Sequence, residues 1–454
     1  MDSLSVQEKP LSAIDAVAII VGIVIGAGIF RTPSLVAANS GNEVCVLLVW
    51  LIGGAVSLIG ALCYAELTSA YPHKGGDYHY LDRAFGKAPA FLFAWARMTV
   101  IQTGSIAMLA FLIGDYATAV HRVGGHNSSS LYAALTILTL TGFNIAGIRH
   151  GKRLQHVLTT AIVAGLLSVI FLCLADFPRA IALHNRPFPD GAALGKAMIF
   201  VLLTYGGWNE AAYLSSEIHD SNRNMIRVLI CSIGVITAIY LLFNFALLQG
   251  LGLAAMSSSD VVAADLMREI LGSDGAFYIS LLIVVATLST MNGIIITGAR
   301  TNYALGLDFR MFGFLGKWRV RGSTPVNALL LQGTIALILV FLGTLTRSGF
   351  EMMVEFTAPV FWFFFLLVGV SVFVLRRKEP HAARPFRIPL YPFTPILFCV
   401  ICLYMLQASL IYTGRGALAG VGVLLAGVPL FLIKKPRERV GGKEVQKTVW
   451  SPEP

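Results

Sequence analysis

Charge is what this 454-residue chain has least of. Asp, Glu, Lys and Arg make up 13% of it, against about 25% in an ordinary globular protein, while 56% is hydrophobic and the mean hydropathy is +0.75. That balance excludes a soluble globular domain and leaves a polytopic helical membrane protein. Strand-like alternation with short turns is missing, which excludes an outer-membrane barrel. The six cysteines (Cys45, Cys63, Cys173, Cys231, Cys399, Cys402) all fall in apolar runs or at their edges, so buried thiols are expected rather than a disulfide framework or a metal centre. The first apolar run is too long for a signal peptide and has no small-residue cleavage site. No H-E-x-x-H, G-x-S-x-G or G-x-x-x-x-G-K-[ST] pattern occurs, which leaves an enzyme or a bound cofactor without support. His73 and His79 share one connector and read as surface residues. A channel would need a carbonyl filter or a ring of like charges, and neither is present.

What the chain has instead is helix-length apolar runs. Twelve candidate spans lie near 12–38, 44–70, 89–120, 130–148, 155–175, 196–217, 226–250, 275–306, 326–345, 351–375, 388–411 and 417–433. Most of the 34 Lys and Arg fall in connectors that share a side if both termini are cytoplasmic, as in Lys74–Lys87, Arg376–Arg387 and Lys434–Lys447. An even span count and this asymmetry satisfy the positive-inside rule. The net charge of +10 is then topological: it suits anionic lipid headgroups and gives no reason to expect nucleic acid.

One stretch, Ile20 to Phe30, organises the rest. Gly26 and Gly28, with Ala27 between them, stand near the middle of the first run. Glycines so close weaken a helix and free backbone polar groups, and such a break survives in hydrocarbon only where it faces protein, water or a ligand. Close helix packing is the competing reading, since Gly22 and Gly26 form a G-x-x-x-G pair. The sixth run carries a second interruption, Tyr205-Gly206-Gly207-Trp208-Asn209-Glu210. If spans 1–5 and 6–10 are two repeats, five spans each makes the second inverted, and the two breaks occupy corresponding places. Paired Gly-interrupted segments point to the central site of an inverted-repeat transporter. The half-helix starting near Gly28 would offer N–H groups and a positive dipole end to a carboxylate, and the half-helices ending near Ile25 and Tyr205 would offer carbonyls to an ammonium. Together these describe a receptor for an α-amino acid. Tyr205 and Trp208 would meet its side chain, or serve as packing aromatics.

Ile25-Gly26-Ala27-Gly28-Ile29-Phe30 with Thr32-Pro33 resembles the first-helix signature of the amino acid–polyamine–organocation transporters, and more narrowly the L-type amino acid transporter branch with its bacterial relatives. Cys63-Tyr64-Ala65-Glu66-Leu67, Gly75-Gly76-Asp77-Tyr78, Gly104-Ser105-Ile106-Ala107, Tyr205-Gly206-Gly207-Trp208-Asn209, Asn292-Gly293 and Arg384-Pro385-Phe386-Arg387-Ile388-Pro389 match in order, over nearly the whole chain. The resemblance implies an all-α fold of twelve transmembrane helices. It is a five-plus-five inverted repeat of leucine-transporter type with helices 1 and 6 broken. Its parts would be a tail (1–11), repeat 1 (12–175), repeat 2 (196–375), spans 11–12 (388–433) and a second tail (434–454). It also implies substrate contacts at Ile25, Gly26, Ala27, Gly28, Ile29, Tyr205, Gly206, Gly207, Trp208, Asn209 and Tyr240, the last with interfacial or packing duty as its alternative. Two departures stand out. Ala27 replaces a frequent serine, and Ile162 aligns with a fifth-span lysine that many relatives carry.

Coupling or gating residues are proposed from their depth. Arg97 lies inside the third span, near enough to its inner end to snorkel and brace an inner gate. Glu210 follows the sixth-span break and would cap, pair, titrate or favour a basic substrate. Ser289 and Thr290 offer oxygens for sodium, or bond their own helix, and Asn292 belongs to the family-like pair beside them. The expected function is an exchanger or facilitator of L-amino acids, neutral ones favoured, in the plasma membrane. The alternatives are a sodium- or proton-coupled carrier of basic amino acids or polyamines, and an amino acid sensor built on a transporter fold. In animal relatives a cysteine in the loop after span 3 links a heavy chain; Arg122–Ser130 contains none, so no disulfide-linked heavy chain is expected. Oligomeric state is left open.

Overall fold

The structure, a computed structural model, describes residues 12–120, 127–176, 189, 191–218, 221–259, 261–319, 322–344, 349–412 and 414–433. The tails at 1–11 and 434–454 therefore lie outside the described residues. Among those described, the chain is helical throughout, with one isolated bridge between Arg319 and Thr324 and no strands.

Capping sets the first element. Ser12 accepts from the Asp15 N–H at 3.1 Å and the Asp15 carboxylate accepts from the Ser12 N–H at 3.1 Å, a reciprocal capping box. It opens α1 (Ala13–Val24), which the glycines end; α2 (Gly28–Ser40) follows at a bend of 52°. The second span is α3 (Glu43–Ala70), and α4 (Asp77–Phe85) lies in the connector after it. The third comprises α5 (Lys87–Ala96), a π-helical turn (Arg97–Ile101) and α6 (Gln102–Val120), and α7 (Ser128–Ala146) and α8 (Ile148–Asp176) complete the first five. The sixth run divides into α9 (Gly191–Thr204) and a 3-10 segment (Trp208–Glu217). Then come α10 (Ser221–Gly250), the short α11 (Gly252–Ser258) and α12 (Val262–Leu271), α13 (Ser273–Asp308), α14 (Val326–Thr344), α15 (Gly349–Lys378), α16 (Phe393–Tyr412) and α17 (Gly414–Ile433).

Nine of these helices are long and apolar enough to cross a membrane, and ten if α1 and α2 count as one span. The sixth run is absent from that count because its break divides it into a 14-residue helix and a 3-10 stretch. The twelfth is absent because its apolar stretch covers only Leu418–Leu432.

Inside the bundle α1 runs between α8, α10 and α13, and its residues from Ile19 to Gly26 are all buried. Outward faces carry Leu51, Ile52, Phe171, Phe341 and Ile411, an apolar surface suited to lipid. Two thiols depart from the expectation of burial: Cys231 is exposed and Cys399 partly so. Lipid is as apolar as the interior, so a thiol on an outer face costs nothing. All six cysteines are free.

The Arg384–Pro389 motif locks one end of the bundle. Arg384 donates to the carbonyls of Leu375 (3.0 Å), Glu379 (2.8 Å) and Ala382 (3.1 Å), closing the end of α15. Buried Glu66 on α3 accepts from Arg376 at 2.7 and 2.5 Å and from the Ile388 N–H at 2.8 Å. One carboxylate thereby ties α3, α15 and the motif together.

Candidate functional site

The two interruptions touch. A β-carbon on Gly28 would stand 3.2 Å from the Thr204 side chain, and one on Gly207 only 2.8 Å from Ile23 Cγ2. Gly207 has φ +111°, a left-handed conformation that glycine adopts freely. The Tyr240 hydroxyl on α10 joins the broken ends, 2.9 Å from the Val24 carbonyl and 3.1 Å from the Thr204 carbonyl. These are the last residues of α1 and α9, so one hydroxyl proton serves two helix C-termini whose carbonyls would otherwise lack donors. Thr204 also bonds Thr32 of α2 at 2.8 Å, and Thr290 of α13 donates to the Ile23 carbonyl at 2.9 Å.

The breaks are also where the core opens. Between Ile19 and Phe30 only Ala27 and Gly28 escape full burial, and between Thr204 and Ser215 only Gly206 and Gly207 do. At the start of α2 the first backbone N–H with a backbone acceptor among the described residues is that of Phe30, to Ala27 at 3.2 Å, so the N–H groups of Ala27, Gly28 and Ile29 are unclaimed there. Three free donors at the positive end of a 13-residue helix bind an anion well.

Ile25 and Ile29 are fully buried, so their side chains shape the break while their backbones form it. Tyr205 turns to α3 and α10: its hydroxyl donates to the Trp50 carbonyl on α3 at 3.1 Å, and its ring meets Trp50 and Tyr240 with centroids 6.1 and 5.0 Å apart. Trp208 enters an aromatic cluster with Tyr64, Phe365 and Phe398, at 5.2, 5.4 and 6.5 Å. Both aromatics therefore wedge the broken sixth span against α3, α15 and α16. Asn209 is buried beside them.

Ser289 and Asn292 face α8 instead. Ser289 accepts from Gln155 at 2.9 Å, and Asn292 donates to Gln155 (2.9 Å) and accepts from Asn144 (2.8 Å). Thr159 of α8 adds a bond to the Ala18 carbonyl at 3.0 Å. Near the break, Gln155 and Thr159 of α8 thus reach α13 and α1, while Ile162 is buried. Both hydroxyl oxygens considered for sodium, Ser289 and Thr290, have protein partners.

Arg97 does not snorkel. It is 2% exposed, and its Nη2 lies 2.6 Å from Glu210, itself 6% exposed. The π turn that begins at Arg97 adds a residue to the helical repeat and rotates the following register, as such turns do at functional places. Of the four roles open to Glu210, pairing with a cation is the one this contact displays.

Trp50, Thr204, Gln155 and Thr159 also shape the site and carry no sequence signal. Each is an ordinary residue of an apolar run, and only the packing of α3, α8 and α9 aligns it with a break.

The packing is asymmetric along the bundle. At the end where α1 begins, α1 rests on α8 and α13, and Asp15 accepts from both Lys152 and His156 of α8 (the latter at 2.7 Å). At the opposite end α2 packs on α9, α11, α3 and α12, with no principal contact to α6, α13 or α15 among the described residues. The α1 end is the one closed by ion pairs.

A family model described as "Amino acid permease" matches residues 11–431. The chain is 28% identical over 412 residues to the b(0,+)-type amino acid transporter 1 of Mus musculus, an alignment covering 89% of this chain and 83% of that protein. It is 28% identical over 441 residues to the Large neutral amino acids transporter small subunit 2 of Homo sapiens, covering 94% and 80%. With the Asc-type amino acid transporter 1 of Rattus norvegicus it shares 26% over 441 residues, covering 94% and 81%.

Proposed function

This chain belongs to the amino acid permease family, and we propose from that premise that it carries neutral L-amino acids by alternating access, as an exchanger or facilitator. It is a multi-pass membrane transporter, not an enzyme. The observation that carries the substrate assignment is the touching pair of breaks. Unclaimed N–H groups at Ala27, Gly28 and Ile29 suit the carboxylate of an amino acid, and the C-terminal ends of α1 and α9, at Val24 and Thr204, suit its ammonium. The name of one relative, the Large neutral amino acids transporter small subunit 2, adds the neutral class. The alternative of a basic substrate leaned on Glu210, whose charge is already matched by Arg97.

In this reading Gly26, Ala27 and Gly28 with Gly206 and Gly207 surround the backbone of the substrate. Tyr240 keeps the two helix ends in register, and Tyr205 and Trp208 hold the sixth span in place. The twelve spans form two inverted five-span repeats (12–175 and 196–375) followed by two further helices (388–433). Both termini lie on the cytoplasmic side, so the closed end is the inner one. With Ile162 in place of the fifth-span lysine, α8 presents Gln155 and Thr159 at the junction of α1 and α13, which favours exchange over coupling to an ion held there.

The test is uptake by purified protein in liposomes against a panel of labelled amino acids, with and without sodium, a pH gradient and internal amino acid. Stimulation by internal neutral amino acid is the expected result. A strict sodium requirement would contradict exchange, and saturable binding without flux would mark a sensor.

A further inference from the structure

Beyond the break, toward the closed end, five side chains from four elements meet in a sealed cluster. Arg97 stands on the π turn, Glu210 and Tyr213 on the 3-10 half of the sixth span, Asp77 at the start of α4 and Tyr64 on α3. Arg97 binds Glu210 at 2.6 Å and lies over the Tyr213 ring, 3.9 Å from its centroid. Tyr213 donates to Asp77 Oδ2 at 3.0 Å. The other Asp77 oxygen, Oδ1, is buried with no hydrogen-bond partner. All five residues are no more than 6% exposed.

The charges do not balance. One guanidinium faces two carboxylates, and Glu210 holds it directly. The cations nearby are taken: Arg83 pairs with Glu379, Lys87 with Asp82 and Asp308, Arg376 with Glu66, and Lys378 binds the Ala84 carbonyl. Arg300 of α13 donates to the Ile296 carbonyl. On the Asp77 side, His73 and His79 stack on each other at 4.2 Å, and Tyr80 follows on α4. Two ionised carboxylates sharing one arginine out of water is costly, and taking up a proton removes the cost.

We propose that Asp77 is a proton-binding site of the inner gate: protonated on Oδ1 while the 3-10 half of the sixth span is seated on α3 and α4, and deprotonated into water when that half moves away. The proposal rests on the transporter reading, since seating and unseating are the two halves of its cycle. Burial pushes the Asp77 carboxyl up to about 7; Arg97 and the Tyr213 hydroxyl pull it back, Glu210 adds to the rise, and the Tyr64 hydroxyl also draws it down. Exposed to water it returns to about 4. The proton therefore favours the closed gate fully below about pH 4. The benefit fades as pH rises and is gone above about 7, at most about tenfold per pH unit for one proton.

Infrared spectroscopy of the purified protein reads the proton directly. A carboxylic acid carbonyl band should titrate near pH 7 and vanish in Asp77→Asn. In Glu210→Gln the band should titrate at lower pH, because Arg97 then has Asp77 as its carboxylate. Exchange flux at equal pH on both sides should rise severalfold from about pH 5 to about pH 7 and level off. In Asp77→Asn it should stay flat at the low-pH level. No acid band in the wild type, or a band that survives Asp77→Asn, overturns the proton site. An unaltered pH profile of flux in Asp77→Asn overturns its role in the gate. Absence of flux at every pH would refute the transporter reading instead, leaving the infrared result to stand by itself.

Discussion

Single atoms decide most of what the site can do. Gly28 is required because a β-carbon there would meet Thr204 at 3.2 Å and a longer side chain would cover the free N–H groups of the α2 terminus. Gly28→Val is expected to lower amino acid affinity by about a hundredfold or more, which is two lost charge-assisted hydrogen bonds at about 1.5–3 kcal/mol each. Membrane insertion should be intact, and equilibrium binding of labelled amino acid checks both. Tyr240→Phe removes the hydroxyl shared by the Val24 and Thr204 carbonyls. At about 0.5–1.5 kcal/mol per bond, it should weaken binding by roughly three- to tenfold and lower the melting temperature by a few degrees. The Gly26-Ala27-Gly28 and Gly206-Gly207 signatures were legible because glycine in an apolar run has few other uses. Trp50, Thr204 and Gln155 were not, since nothing in a linear apolar run tells which side of the helix faces a break. The snorkelling expected of Arg97 failed for the same reason: depth along a span is readable, but the partner across the bundle is not.

At the scale of elements, each interrupted span is a pair of rods held by different neighbours. The α1 rod is braced by α8 and α13, and the 3-10 rod by aromatics of α3, α15 and α16. Gly207 is the joint of the second pair. Gly207→Ala forces an L-residue into φ +111° and sets its β-carbon 2.8 Å from Ile23. The left-handed conformation alone costs about 1–2 kcal/mol, so thermal stability and amino acid binding should both fall, and Gly206→Ala should fall less because its φ is ordinary. The pH profile expected of the Asp77 cluster also belongs here, because its charges come from three elements that must part together. Helix-length runs made most of the spans readable, and the first divides at its glycines as expected. The sixth run reads as one from hydropathy yet is divided by a left-handed glycine and a tightened helix.

For the whole molecule, the asymmetry between the ends matters most. The α1 end is latched by Asp15 with Lys152 and His156, and by Glu66 with Arg376, whereas α2 and α9 lean on each other. A carrier that releases cargo at the α1 end must first undo those latches. Asp15→Asn weakens a partly exposed latch by about 1 kcal/mol at most. Populations of the two shapes then shift by up to about fivefold, seen as weaker binding from the α2 side with exchange retained. Twelve spans and the inverted repeat are the proposal drawn from run order. Among the described residues, nine helices, or ten with the bent pair, meet the length criterion.

Hydropathy and glycine placement by themselves determined that the chain is a helical membrane protein with two weakened spans, because the bilayer penalises every unpaired backbone group and leaves few ways to break a helix. The tertiary structure alone decided that the two breaks touch, that Tyr240 joins their ends, and that Arg97, Glu210 and Asp77 share one sealed space. Those facts depend on how each helix is rotated and which neighbour it meets. Rotation is set by the sum of many weak side-chain contacts between segments far apart in the chain, which no local pattern records.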